Sequence, residues 1–524
     1  MAPDQIAPGP IHIDGRVTAR RSILAGLTTL GLMAVVVAPA AVASDYRPGT
    51  DDYAMAKVAQ RMGAEAWWNA GYTGKGVDVA VIDTGVAPVE GLDGKGKVVN
   101  GPDLSVESQS RELRYMDTNG HGTFMAGLIA GHDSDLVEPY ATAPASQYRG
   151  VAPDARIVNI KVAAADGGTD VSQVIAAIDW VVQHRDDRNL NIRVINLSFG
   201  TNTRQDYRVD PLAYAIEQAW KAGIVVVAAG GNTGYQRGND APGLADPAYD
   251  PWIIAVGGYD SNGTATIADD FVASWSASGA CGTCRKPDLV AEGAHMQGLR
   301  VRGSFLDGSH PEAVLNNRYF RGSGTSEAAA ITSGAVALIL DRYPGLSPDE
   351  VKAYLTKATP RIDGFNAAAQ GKGEIELRRI IDVAPEPAEQ SFDWSTGEGS
   401  IEKSRGNDHV AMGGVELTGE QDIFGHAFNS ERMARLEAKH ASWDGGTWNG
   451  NDWAGVSWSG VSWSGVSWSG VSWSGVSWSG VSWSGVSWSG VSWSGVSWSG
   501  VSWSGVSWSG VSWSGDVWAD AVAG

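Results

Sequence analysis

Between residues 77 and 355 the chain alternates two hydrophobic patterns. Short apolar runs closed by Gly, Asp or Asn read as buried strands, and we place them at Val77–Asp83, Ala155–Val162, Ile192–Phe199, Ile224–Ala229, Trp252–Gly257 and Asp288–Ala291. Between them lie helical patterns. Val171, Val174, Ile175 and Ile178 fall on one face of a helix packed against a sheet, and Asp170 is placed to cap it. Ser347-Pro348-Asp349-Glu350 carries a capping Ser, a first-turn Pro and the Glu of a capping box. Glu327–Leu340, rich in Ala, Ile, Val and Leu, can be helical until Pro344. Strands alternating with helices predict an α/β fold, a three-layer, doubly wound and mostly parallel sheet.

The pattern breaks at both ends. Arg16, Arg20 and Arg21 precede an apolar stretch from Ile23 to Ala38, and Ala41-Val42-Ala43 before Ser44 has the small-x-small form of a cleavage site. Residues 1–43 therefore read as an export signal, with Arg20-Arg21 resembling a twin-arginine type. An uncleaved anchor over Ile23–Ala43 is the alternative. Either way the remainder is delivered outside, and the membrane is met only through this segment. Residues 44–66 form a short N-terminal segment and 67–383 the globular domain. Ala384-Pro385-Glu386-Pro387-Ala388-Glu389 reads as a stiff linker. Residues 391–441 are polar and Gly-rich without a long periodic stretch, so all of 384–441 is expected to be a spacer, loose or disordered.

From 442 to 518 tryptophan recurs at every fifth position, with twelve perfect Val-Ser-Trp-Ser-Gly copies from Val456 to Gly515. A period of five smears Trp around a helix, and Gly, Ser and Val are poor helix formers. In a straight strand an odd repeat flips every second Trp to the other face. A chain that turns at each glycine keeps Val and Trp together, which predicts a β-solenoid or stacked-turn array. Its imperfect edges, 447–453 and Asp516-Val517-Trp518, are expected to be polar caps. The tail reads either as a surface that grips cell-wall glycan or as a self-association scaffold.

Charge narrows the partners. With 59 Asp plus Glu against 39 Lys plus Arg the chain carries −20, which repels nucleic acid and anionic lipid. Cys281 and Cys284 cannot fill a structural zinc site by themselves, and Lys286-Pro287-Asp288 argues against the helix that a redox dithiol needs. A short-range disulfide is the favoured reading, two free thiols the other.

Chemistry concentrates in four places. Asp83 ends the apolar run Val79–Ile82, where open parallel sheets form their clefts, although Asp-Thr-Gly is also ordinary turn chemistry. His121 sits between Gly120 and Gly122-Thr123, small neighbours that let another backbone come close to an imidazole. Ser326 opens a helix, where its hydroxyl and N–H meet the positive end of the backbone dipole. Asn232 follows the strand Val225–Ala229 and can donate to a developing oxyanion, or simply make a turn.

These boxes resemble those of the subtilisin-like serine peptidases, the subtilase family, in a secreted actinobacterial type, over roughly Trp67 to Ile381. The order Asp83, His121, Ser326 follows that of subtilisin. The resemblance implies a secreted serine endopeptidase working through an acyl-enzyme on protein or peptide substrates, with Asn232 in the oxyanion hole. It also implies peptide-binding edges at Ser198-Phe199-Gly200, Ala228-Ala229-Gly230 and Asp166-Gly167-Gly168. No cofactor is expected. Calcium is common in the family, but Asp133, Asp135 and Glu138 show no readable ligand spacing, so no metal ligand is assigned. Two departures stand out: Phe124 where the family often has a second histidine, and Glu327-Ala328-Ala329-Ala330-Ile331 where it often has Met-Ala-x-Pro-His. Neither removes a catalytic atom. A folded propeptide is not expected within Ser44–Ala66, which is shorter than the ~40 residues below which domains seldom fold unaided. The competing class is a non-catalytic surface or adhesion protein on the same scaffold.

Overall fold

The computed structural model describes residues 46–453 apart from 111, 188, 235–242, 280–284, 286 and 413–414, and the Ser-Trp-Ser segments of the repeats. The export signal, the Cys281 and Cys284 pair and the edge at 516–518 lie outside the described residues. Eight strands build the main sheet: β1 (Asp78–Asp83), β2 (Val98–Asp103), β3 (Arg156–Lys161), β4 (Ile192–Leu197), β5 (Val225–Ala229), β6 (Ile254–Asp260), β7 (Phe271–Val272) and β8 (Leu289–Glu292). Their order is β2-β3-β1-β4-β5-β6, all parallel, with β8 parallel on β6 and the two-residue β7 antiparallel at the end of β6. The doubly wound α/β architecture is as expected.

The helices are α1 (Met55–Arg61), α2 (Ala64–Asn69), α3 (His121–Ala130), α4 (Val171–His184), α5 (Pro211–Lys221), α6 (Phe305–Ser309), α7 (Thr325–Arg342), α8 (Pro348–Thr356), α9 (Ala367–Gln370), α10 (Ile401–Arg405) and α11 (Ser430–Glu437). α7 packs across β4, β5 and β6 and against α3, while α4 and α5 pack on each other and on β1 and β5. Both capping predictions hold: Asp170 and Gln173 make a reciprocal capping box on α4, as do Ser347 and Glu350 on α8. β6 starts two residues later than expected, because Asp250 and Pro251 keep Trp252 in the preceding turn, where its N–H donates to the Asp250 side chain. β2 was not anticipated, since Val98-Val99-Asn100-Gly101-Pro102-Asp103 has neither an apolar run nor an alternation. It is an edge strand, where a proline is tolerated.

Three expectations fail. Residues 46–66 belong to the domain: Met55, Val58 and Ala59 of α1 and Ala64 of α2 are buried in the main core, and the Met55 N–H donates to Gln297 Oε1 at 3.0 Å. The larger correction concerns 384–441. Ala384–Glu389 does run without regular structure, but 391–453 is a strap packed across α4 and α5. Trp394 stacks on Trp252 with ring centroids 3.4 Å apart, and Ile401, Phe428 and Met433 are buried. The strap escapes notice in the sequence because its anchors are irregularly spaced.

Nor is the first edge of the repeats a polar cap. Trp443–Asp444, Thr447–Trp448 and Asn451–Asp452 form a small antiparallel sheet that buries Trp443, Trp448 and Trp453. Trp443 Nε1 donates to the Ala176 carbonyl and Trp448 Nε1 to Asp179 Oδ2, both at 2.8 Å. The leading tryptophans thus fasten the tail to α4. Beyond them each Ser-Trp-Ser is a short strand that pairs, parallel and in register, with the strand four copies later: Ser457–Ser459 with Ser477–Ser479, and that with Ser497–Ser499. There are four such stacks of three parallel strands, each joining copies twenty residues apart, the pairing expected of a stacked-turn array. Identical residues stand opposite each other in every pairing, and the middle strand of each stack bonds on both sides.

Replacing Trp448 by Ala is expected to cost about 3–5 kcal/mol in urea melts of the full chain, as for other buried aromatics. A change within about 0.5 kcal/mol, the size seen at exposed positions, would mean that the strap does not dock.

Candidate active site

Asp83 is the last residue of β1 and His121 the first of α3. What joins them is a close backbone approach: a Cβ added to Gly122 would sit 2.2 Å from the Gly85 carbonyl oxygen. Only glycine fits there, and the approach brings the imidazole onto the carboxylate. His121 Nδ1 lies 2.8 and 3.0 Å from Asp83 Oδ1 and Oδ2. With Nδ1 held on the carboxylate, Nε2 is the nitrogen left to act as base once the imidazole is neutral. The Thr84 N–H also donates to Asp83 Oδ1 at 2.7 Å and fixes the carboxylate plane.

Asp117 organises this turn, and the sequence reading missed it. Buried in the loop before His121, it accepts from Thr84 Oγ1 (2.8 Å), the Gly120 N–H (2.6 Å), the Thr123 N–H (2.8 Å) and Thr123 Oγ1 (2.6 Å). Thr84 Oγ1 in turn accepts from the Gly122 N–H at 2.9 Å. One carboxylate therefore ties the Asp83 turn to the His121 turn. Its spacing, four residues before the histidine and six before a threonine, was the available signal. Glu107 makes a similar tie, accepting from the fully buried Lys161 at 2.6 Å, from Thr118 Oγ1 at 2.7 Å and from the Ala165 N–H at 3.0 Å.

Ser326 is the second residue of α7, at the positive end of an eighteen-residue helix. Its turn is bonded to the end of β5: Asn232 Oδ1 accepts from the Thr325 N–H at 2.9 Å and from Thr325 Oγ1 at 3.0 Å, and the Gly231 N–H donates to Thr325 Oγ1 at 3.1 Å. With Oδ1 so engaged, Asn232 Nδ2 is turned toward the start of α7, 3.1 Å from where a Cβ on Gly324 would be. Among the hydrogen bonds of the described residues none joins His121 to Ser326. Such contacts tighten when substrate binds.

Burial by itself would lower the His121 pKa. The charge and hydrogen bond of Asp83 outweigh it, Glu327 and Asp117 add to them, and the imidazole is pushed up to about 9. Glu327, next to Ser326, is buried, and desolvation raises its carboxyl above the usual range. It lines a small cavity with His121, Phe124, Leu306 and Phe320.

The resemblance-derived edges all gather at the carboxyl ends of the parallel strands. Ser198-Phe199-Gly200 follows β4, Ala228-Ala229-Gly230 ends β5 beside it, and Gly167-Gly168 lies in the turn after β3. Ser198 Oγ reaches the Ser326 carbonyl at 3.5 Å. The acids after Gly131 do not converge: Asp133 pairs with Arg318, while Asp135 and Glu138 face solvent. Among the described residues no group of three or more His, Cys, Asp or Glu is arranged to hold a metal, and no helix is long and apolar enough to cross a membrane.

Residues 74–380 match the Subtilase family. The chain is 36% identical to the serine protease AprX of Bacillus subtilis over 59% of its own length and 67% of that protein. It is 32% identical to Subtilisin DY of Bacillus licheniformis over 59% of its length and 91% of that protein. It is 29% identical to the minor extracellular protease Epr of Bacillus subtilis, over 62% of this chain and 41% of Epr. A family match through more than half the chain, on a parallel α/β sheet, together with these protease relatives makes this protein a member of the subtilase family and a serine-type endopeptidase.

Proposed function

We propose that Asp83, His121 and Ser326 are the catalytic triad of an exported endopeptidase, with Asn232 as an oxyanion donor. His121 Nε2 takes the Ser326 proton as Oγ attacks the substrate carbonyl, and Asp83 steadies the imidazolium. The Asn232 amide and the Ser326 N–H stabilise the charge on oxygen. The C–N bond then breaks with the proton passed from His121 to the leaving amine. Water, deprotonated by the same imidazole, releases the acyl group. The observation that carries this reading is the Asp83–His121 pair, with Asn232 turned toward the helix turn that bears Ser326. Substrate is proposed to lie extended against 198–200, 228–230 and 166–168. Export rests on the character of residues 1–43. The repeat tail is proposed to hold the enzyme at wall glycan or at other copies of itself. Pull-down of the full chain on insoluble glycan, against sedimentation of the chain alone, separates those two roles; a chain that does neither excludes both.

A serine-reactive phosphonate should label the enzyme, and Ser326→Ala should abolish labelling and lower turnover on the order of 10⁶-fold, the figure known for subtilisin itself. Labelling that survives the substitution would remove Ser326 from the mechanism.

Because the base must be neutral, kcat/KM should rise with pH along a limb centred near 9, and Glu327→Gln should move that limb to lower pH. A profile already level above pH 7 would contradict the charge environment described. Stability runs the other way: a raised imidazole pKa stabilises the fold fully below about 6.5, and that contribution fades as pH rises through about 9.

A further inference from the structure

β1 lies between β3 and β4 in the sheet, so the loops leaving β3 and β4 flank Asp83 but are not paired with each other. These loops carry the two edges at 166–168 and 198–200, and α10 of the strap is bonded to both. On one side Asp170, two residues past the first edge and the cap of α4, receives the guanidinium of Arg405: Nε donates to Oδ2 at 2.7 Å and Nη2 to Oδ1 at 3.4 Å. Both side chains are essentially out of solvent, 0% and 1% exposed. The remaining Arg405 donors go to the carbonyls of Gly419 (2.8 Å) and Gln421 and to Glu402 (3.1 Å). Further along the strap the Ile423 N–H donates to Ser172 Oγ at 2.9 Å.

On the other side the Ser404 and Lys403 carbonyls accept from the hydroxyls of Thr201 and Thr203, just past the second edge. The Asn407 N–H donates to Asn202 Oδ1 at 2.8 Å, and the Asn202 N–H to Asp408 at 3.2 Å. Gly406, at φ +63°, permits the contact, since a Cβ there would lie 2.3 Å from Asn202 Oδ1. We propose that the strap is a clamp that fixes the separation of the two peptide-binding edges, and that Arg405 is its positioning residue. The planar fork of Arg405, with each donor committed, holds Asp170 in one place relative to α10, and α10 holds 201–203. A lysine has the charge but not the fork. The strap thereby acts on the grip of an extended substrate and leaves the Asp83–His121–Ser326 chemistry alone. The inference rests on the proposed role of 166–168 and 198–200 as substrate edges.

The test uses the full chain and two substrates, an extended peptide that reaches both edges and a small activated ester that reaches neither. Arg405→Met should lower kcat/KM for the peptide by between about 10- and 100-fold, mainly through KM, and leave the ester unchanged. Arg405→Lys should fall between it and the parent. Thr201→Val deletes a single clamp bond and should shift the peptide-to-ester ratio the same way by less, which keeps the test open if Arg405→Met does not fold. Equal losses on both substrates, or none on either, would overturn the clamp. Gly168→Val alters an edge directly. If it shifts the ratio and the clamp variants do not, the clamp fails; if it too leaves the ratio unchanged, the reading of the edges fails.

Discussion

The active site depends on one close approach, that of the His121 turn to the Asp83 turn. With Gly122 pressed against the Gly85 carbonyl, Nδ1 meets the carboxylate at 2.8 Å, and the approach is held by buried hydrogen bonds through Asp117 and Thr84. The cost of burying Asp117 is offset by four donors, which is why a carboxylate can serve there as scaffold. The result is an imidazole of fixed orientation in a strongly negative environment.

The parallel sheet supplies the second requirement, that groups distant in sequence end at one edge. β1 delivers the acid, β5 delivers Asn232 and α7 starts beside it, with Thr325 bridging the two. Ser333 within α7 donates to the buried Asn196 of β4 at 2.9 Å, so the helix cannot slide along the sheet without breaking a buried polar pair. The serine is thus placed by contacts along the length of α7 as well as by its own turn.

The C-terminal strap answers a different need. The helical layer of α4 and α5 buries several acids, and the strap supplies their partners: Arg405 for Asp170, Trp448 for Asp179, Ser404 for Asp210 and the Ser395 N–H for Glu217. Burial raises the Asp179 carboxyl to about 7, and Glu437 from the strap lies beside it, pushed up by burial and then by Asp179. Without 391–453 Asp170 would keep Ser172 and Asp210 would keep Gln205 and the Leu212 and Ala213 N–H groups, but each acid would lose the donor that the strap supplies, so the strap adds to the stability of the layer it covers. A chain with net charge −20 accommodates this by neutralising acids inside as well as solvating them outside.

By itself the sequence determined the alternation of strands and helices, the caps of α4 and α8, and the candidate groups Asp83, His121, Ser326 and Asn232, because each has a local signature in apolar runs, capping residues or small neighbours. It also carried the strict repeat whose Ser-Trp-Ser strands pair in parallel four copies apart, since a strict period leaves few backbone paths. Tertiary structure alone decided β2, the docking of 46–66, the service of Asp117 and the whole of the strap. Those features rest on contacts between residues far apart in the chain, such as Arg405 with Asp170 and Trp448 with Asp179. Such contacts have no periodicity to read, because a buried polar pair is selected by where two surfaces meet and not by what lies next to it in sequence.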